Sequence, residues 1–64
     1  MTETIRLALS IEEAAHAAGI GRTALYSLLG AGEGPRTFRV GRRRLIRRAA
    51  LSEWLRQLEL QNEA

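Results

Sequence analysis

Apolar residues recur along the chain with two different periods, and the changes of period divide it into elements. Leu7 and Leu9 alternate around Ala8, which reads as a short extended piece packed on the core. Ser10-Ile11-Glu12-Glu13 follows as a capping box. Its serine oxygen accepts the Glu13 amide, and the Glu13 side chain returns to the Ser10 amide. The helix it opens is expected over about 11–18, with Ile11, Ala14, Ala15 and Ala18 along one side. Side chains this small let another helix approach closely. Gly19 suits the left-handed residue that ends a helix.

A second helical pattern runs over about 22–29, with Leu25, Leu28 and Leu29 as its buried stripe. Arg22, Thr23, Tyr26 and Ser27 fall on the other side. Tyr26 lies near the boundary, its ring either a buried edge or a phosphate donor. Two short helices joined by Gly19-Ile20-Gly21 match a helix-turn-helix. The joint is too short for an antiparallel return, so a sharp crossing is expected.

Gly30, Gly32, Gly34 and Pro35 interrupt the helix. This glycine-rich run follows a helix and lacks the lysine of a P-loop, so it reads as a connecting loop. Residues 36–40 then alternate as a half-buried strand, with Phe38 and Val40 expected inward and Thr37 and Arg39 outward. Gly41-Arg42-Arg43 is the expected hairpin tip, and Arg44-Leu45-Ile46 the return strand with Ile46 inward. A two-stranded hairpin is marginal alone and must lie against the helices. From about Arg48, a last helix carries Leu51, Trp54, Leu55 and Leu58 at i, i+3, i+4 and i+7, without a good N-cap. Trp54 and Phe38 are expected in the core, and Leu60, off the stripe, in solvent.

The order helix, turn, helix, hairpin, helix predicts a mainly α fold with a small β-hairpin, a winged helix-turn-helix over 9–60. A loose segment, 1–8, precedes it and a frayed tail, 61–64, follows. At 64 residues the chain is one domain. A chain this short buries only about 60% of its unfolded surface. With no cysteine and one histidine, neither a disulfide nor a metal is expected to brace it. No cofactor is expected. No run approaches a membrane span, and the N-terminus lacks a signal-peptide core, so a cytoplasmic, nucleoid-associated protein is expected.

Charge sharpens this picture. The net charge of +3 conceals a block of seven arginines, Arg36, Arg39, Arg42, Arg43, Arg44, Arg47 and Arg48, with no acid among them. The segments on either side are each net negative. Every basic residue is arginine and every acid glutamate. Clustered charge of one sign repels itself, and a polyanion relieves the repulsion. Catalysis has little support: no cysteine, no aspartate, one histidine and no evident carboxylate pair.

Several pieces of the chain resemble the excisionase-like group of small MerR-type winged helix-turn-helix proteins. They are Leu-Ser-Ile-Glu-Glu-Ala-Ala (9–15), Gly-Ile-Gly-Arg (19–22), Leu-Tyr-Ser-Leu-Leu (25–29), Gly-Glu-Gly-Pro (32–35), Arg-Val-Gly-Arg-Arg (39–43) and Leu-Ser-Glu-Trp-Leu (51–55). The resemblance implies that the second helix enters a major groove and the wing reaches an adjacent minor groove or its phosphates. Arg22, Thr23, Tyr26 and Ser27 then become groove- and phosphate-facing residues. Arg39, Arg42 and Arg43, with Arg44 as a flank, become wing contacts. Arg36, Arg47 and Arg48 are candidates for backbone contacts. Gly21, Ala24 and Ala50 depart from the serine, threonine and aspartate usual in the group, which bears on local stability more than on DNA binding.

The expected function is sequence-specific binding of double-stranded DNA by a phage or mobile-element excisionase. If six to eight arginines each neutralise a phosphate, log K should fall against log salt with a slope of roughly −5 to −7. A two-turn reading helix contributes only ~1–3 kcal/mol per base pair read. Further copies on adjacent sites, or an integrase, are therefore the expected partners. No small-molecule effector is expected, because the coiled coil and effector domain of the longer regulators have no counterpart in the sequence. A small transcriptional regulator and an arginine-rich RNA binder are the alternatives. RNA recognition usually shows exposed aromatics for base stacking, and the chain has three aromatics in all.

Overall fold

A computed structural model describes residues 6–62. Residues 1–5 and 63–64 lie outside the described residues, and with them most of the segment expected to be loose and the end of the tail. The elements are β1 (Ala8–Ser10), α1 (Ile11–Ala18), α2 (Arg22–Gly30), β2 (Phe38–Val40), β3 (Arg43–Arg47) and α3 (Arg48–Gln61). This is the mainly α winged helix-turn-helix arrangement, with a three-stranded antiparallel sheet in the order β1-β3-β2. No helix of the described residues is long and apolar enough to cross a membrane.

The capping box forms as the sequence indicates. Glu13 N–H donates to Ser10 Oγ at 3.1 Å, and Ser10 N–H donates to Glu13 Oε1 at 2.9 Å. Gly19 ends α1 at φ 77°. Ile20 N–H donates to the Ala15 carbonyl at 3.0 Å, and Gly19 N–H to that of His16 at 3.1 Å, so two of the terminal carbonyls are satisfied. Ile20 packs against the core and turns the chain into α2.

The core holds Leu9, Ile11, Ala14, Ala15, Leu25, Ile46 and Leu51, with Ala18, Ile20, Leu29, Ala50, Trp54 and Leu55 packed around it. Leu25 and Ile46 are its largest fully buried side chains, each stabilising the fold by about 1.5–3 kcal/mol. The packing centres on α1, which touches α2, α3, β1 and β3. Its contacting side is Ala14 and Ala15, and the absence of bulk there brings the other elements close. Trp54 joins this packing, and its Nε1–H donates to the Glu33 carbonyl at 2.8 Å. That bond fastens the glycine loop to α3.

The sheet differs from the expected hairpin in three ways. The first is an added strand. The extended piece at Leu9 pairs with β3 in the register Ala8–Arg47, Leu9–Ile46, Ser10–Leu45, and Arg48 N–H donates to the Leu7 carbonyl at 2.8 Å. Leu9 is buried, but Leu7 is 78% exposed and does not pack on the core. The second is the tip. β3 begins at Arg43, so the turn is the two residues Gly41 and Arg42. Gly41 has φ 61°, and among the described residues none but glycine takes a positive φ. Positive then negative φ is the pattern of a type II′ hairpin turn, whose twist matches the strands.

The third difference is the orientation of β2. Phe38 pairs with Leu45, Arg39 with Arg44 and Val40 with Arg43. Directly paired residues share a face, and Ile46 and Leu9 define the core face. Phe38 and Val40 therefore lie on the opposite, outer face, 38% and 59% exposed, not in the core as expected. Thr37, Arg39 and Arg44 take the core-side face out on the wing.

Candidate nucleic-acid interface

Two sets of exposed polar side chains are built by two different local structures. The first is the outward side of α2. Leu25 alone of that helix is buried, and Arg22, Thr23, Tyr26 and Ser27 are all exposed. α2 begins at Gly21 without a side-chain cap, so its first amides point outward unclaimed by a side chain. Such amides attract anions. The Tyr26 ring is 44% exposed, which settles its position as a surface residue. Its hydroxyl donates to Glu12 Oε2 at 3.4 Å.

The second set is the wing. Arg39 and Arg44 stand directly opposite each other across β2 and β3. Like charges so placed repel. Arg44 Nε donates to Thr37 Oγ1 at 3.3 Å, which holds one of the pair in place. Arg42 occupies the turn, and Arg43 begins β3 on the outer face with Val40. The tip thus carries guanidinium groups on both faces and at its end. Among the described residues Arg22, Arg39, Arg42 and Arg43 have no side-chain hydrogen bond or ion pair to the protein.

The rest of the arginine block is placed differently. Arg36 and Arg47 are exposed at the base of the sheet, away from the turn. Arg48 Nε donates to the Arg6 carbonyl at 2.9 Å. Together with the Arg48 amide bond to Leu7, this ties the N-terminal segment to the start of α3. The seven arginines therefore form no single patch. Four crowd the wing tip, two flank the sheet base and one serves a structural contact.

Two acidic residues near these sets were not among the sequence-based site residues. Glu12 reaches Tyr26, as above, and only the i, i+1 neighbour Glu13 was marked by the capping pattern. Glu13 forms an ion pair with Arg6. The Ser10 amide holds the Glu13 carboxyl below its ordinary value, opposed by partial desolvation and assisted by Arg6, the Ser10 hydroxyl and Arg43. No group of three or more His, Cys, Asp or Glu among the described residues is placed to hold a metal ion.

The two sets are linked through α1. α2 packs principally against α1, and α1 in turn packs on β1 and β3. The outward side of α2 and a cationic hairpin are thereby held on one small frame. This geometry suits a nucleic-acid duplex.

Comparison with known proteins agrees with this geometry. A family model described as a helix-turn-helix domain matches residues 8–59. A protein of Saccharopolyspora erythraea described as a probable excisionase is 41% identical over 59 residues, which is 92% of this chain. The chain spans about three-fifths of the length of that relative, at 59%. No solved structure matches.

Proposed function

Because this chain belongs to the helix-turn-helix domain family, we propose that it is a duplex-DNA-binding protein acting as an excisionase of the small MerR-type build. α2 enters the major groove with Arg22, Thr23, Tyr26 and Ser27. The wing lays Arg39, Arg42, Arg43 and Arg44 along the neighbouring minor groove or its phosphates. The observation that carries this reading is the direct opposition of Arg39 and Arg44. A like-charge pair across a strand disfavours the free hairpin, and phosphate between the two arginines turns that cost into binding. Guanidinium suits this role because its donor fork takes two phosphate oxygens, and a narrow minor groove concentrates negative potential.

The relative described as a probable excisionase supports assigning this binding to excision. α2 exposes too few side chains to select one site in a genome alone, at ~1–3 kcal/mol per base pair. Several copies therefore occupy adjacent sites and bend the DNA toward the shape an integrase requires. DNase footprinting and gel-shift titration on the DNA flanking the gene test this. The expected result is a protected array of short direct repeats, cooperative complexes and enhanced cleavage at bends. A single tight, non-cooperative complex on an unbent palindrome would refute the excisionase reading.

A further inference from the structure

The outer face of the sheet is the unexpected surface of this molecule. An antiparallel sheet with one face in solvent ordinarily carries polar residues there. Here that face presents Ala8, Phe38, Val40 and Leu45 among Ser10, Arg43 and Arg47, while the core lies behind the other face. At the base of the sheet, Leu7, Ala8, Phe38 and Ala50, with Thr37, line an open groove of about 490 Å³. Arg36 and Arg47 stand on its rim, and no acid lines it. The groove lies away from the wing tip: Arg43 and Arg47 are four residues apart on β3, roughly 14 Å at strand rise.

We infer that this groove binds a segment of a partner protein in which apolar residues alternate with carboxylates. The apolar floor takes the aliphatic side chains, and the two rim guanidinium groups take the carboxylates. Neither arginine has an ion pair or side-chain hydrogen bond among the described residues. A second copy of the chain is a poorer occupant. Its remaining exposed large apolar residues are Tyr26, on the proposed DNA face, and Leu60. Leu60 shares a depression with Arg56 as well as Glu53, so a second copy seated there would bring an arginine against the two rim arginines. A duplex is poorer still, since its phosphates would meet an apolar floor. The inference uses neither α2 nor the turn, and it assigns Arg36 and Arg47, candidates for backbone contacts in the sequence, to a protein partner instead.

Amide chemical-shift titration of the ¹⁵N-labelled chain, without DNA, tests it. The probe is a capped peptide of alternating leucine and glutamate, compared with one in which lysine replaces glutamate. The glutamate peptide is expected to shift the Leu7, Ala8, Phe38 and Ala50 amides saturably, leaving the residues 22–27 in place. Arg36→Ser with Arg47→Ser should weaken it by roughly fivefold or more. Arg36→Glu with Arg47→Glu should reverse the preference to the lysine peptide, and the dispersion of the spectrum shows whether each variant is folded. Absence of shifts at millimolar peptide, or equal binding of both peptides, would overturn the inference. So would the same shifts produced by duplex DNA, or by raising protein concentration alone, which would assign the face to nucleic acid or to a second copy.

Discussion

The Tyr26 hydroxyl donates to Glu12 Oε2 at 3.4 Å, so a carboxylate from the first helix sits beside the outward side of the second. The bond lies in solvent and contributes little to folding. Its charge matters more, because in the proposed complex it stands where phosphate approaches. At about 10 Å in water, one unit charge changes an interaction by about 0.4 kcal/mol. Glu12→Gln should therefore leave the melting temperature within a degree or so and tighten binding to any duplex about twofold at low salt. Tyr26→Phe should release the carboxylate and alter sequence preference without that general gain. Fluorescence anisotropy with matched and mismatched duplexes measures both.

Arg39 and Arg44 oppose each other in the free protein and share phosphate in the proposed complex. Either Arg39→Ala or Arg44→Ala should stabilise the free protein by a few tenths of a kcal/mol in chemical denaturation. The same changes should weaken DNA binding across all sequences, and each should lower the magnitude of the salt slope by about 1. Arg22→Ala or Thr23→Ala should instead change which sequence is preferred, by ~1–3 kcal/mol at the affected base pair. Equal behaviour of the two sets would remove the division between wing and reading helix.

Acid should destabilise the protein partly through Glu13. Its carboxyl titrates below the ordinary glutamate value of 4.5 when folded, chiefly because the Ser10 amide donates to it. A depressed folded value means that its stabilisation is present above the unfolded value. It is lost as pH falls from there through the folded value. Thermal melts across that acid range should show a steeper fall for the natural chain than for Glu13→Gln, which begins less stable at neutral pH. Parallel curves for the two would show that the capping carboxylate carries no pH dependence.

Two glycines respond in opposite directions. A Cβ at Gly34 would stand 2.6 Å from Leu29 Cδ2 and 3.3 Å from the Leu29 Cα. Leu29 packs on the core, so Gly34→Ala should cost about 1–2 kcal/mol through overpacking. Gly21 has open space and caps α2 without a side chain. Gly21→Ser should gain a few tenths of a kcal/mol. Trp54, the one tryptophan, is anchored to the loop that contains Glu33 and Gly34, so its fluorescence reports both transitions.

Much of this fold is legible in the sequence because its signals are local. Ser10 and Glu13 mark one helix start, Gly19 its end, and Leu25 the buried side of the next, where Leu28 and Leu29, expected beside it, are only half-buried. The hairpin was legible as a hairpin, but its orientation was not. Alternation through Phe38 and Val40 gives a period of two and leaves open which set faces inward. The turn decides that. With Gly41 and Arg42 as the whole turn, Val40 must pair with Arg43, and Ile46 then leaves Phe38 on the outer face. The pairing of β1 with β3 joins residues nearly forty apart, and no local pattern specifies it. For the interface, residue type alone exposed the arginine block. Its partition among turn, sheet base and the Arg48 contact depended on tertiary placement.

Leu25 is the only side chain of α2 that the fold fully buries. The outward positions of that helix are consequently free of obligations to the core. Their identities can drift, or be randomised in a library, while the scaffold and its wing persist. Under the proposed function, exchanging a handful of surface residues would thus give this scaffold new target sites, with Glu12 beside Tyr26 as the neighbour that such exchanges must accommodate.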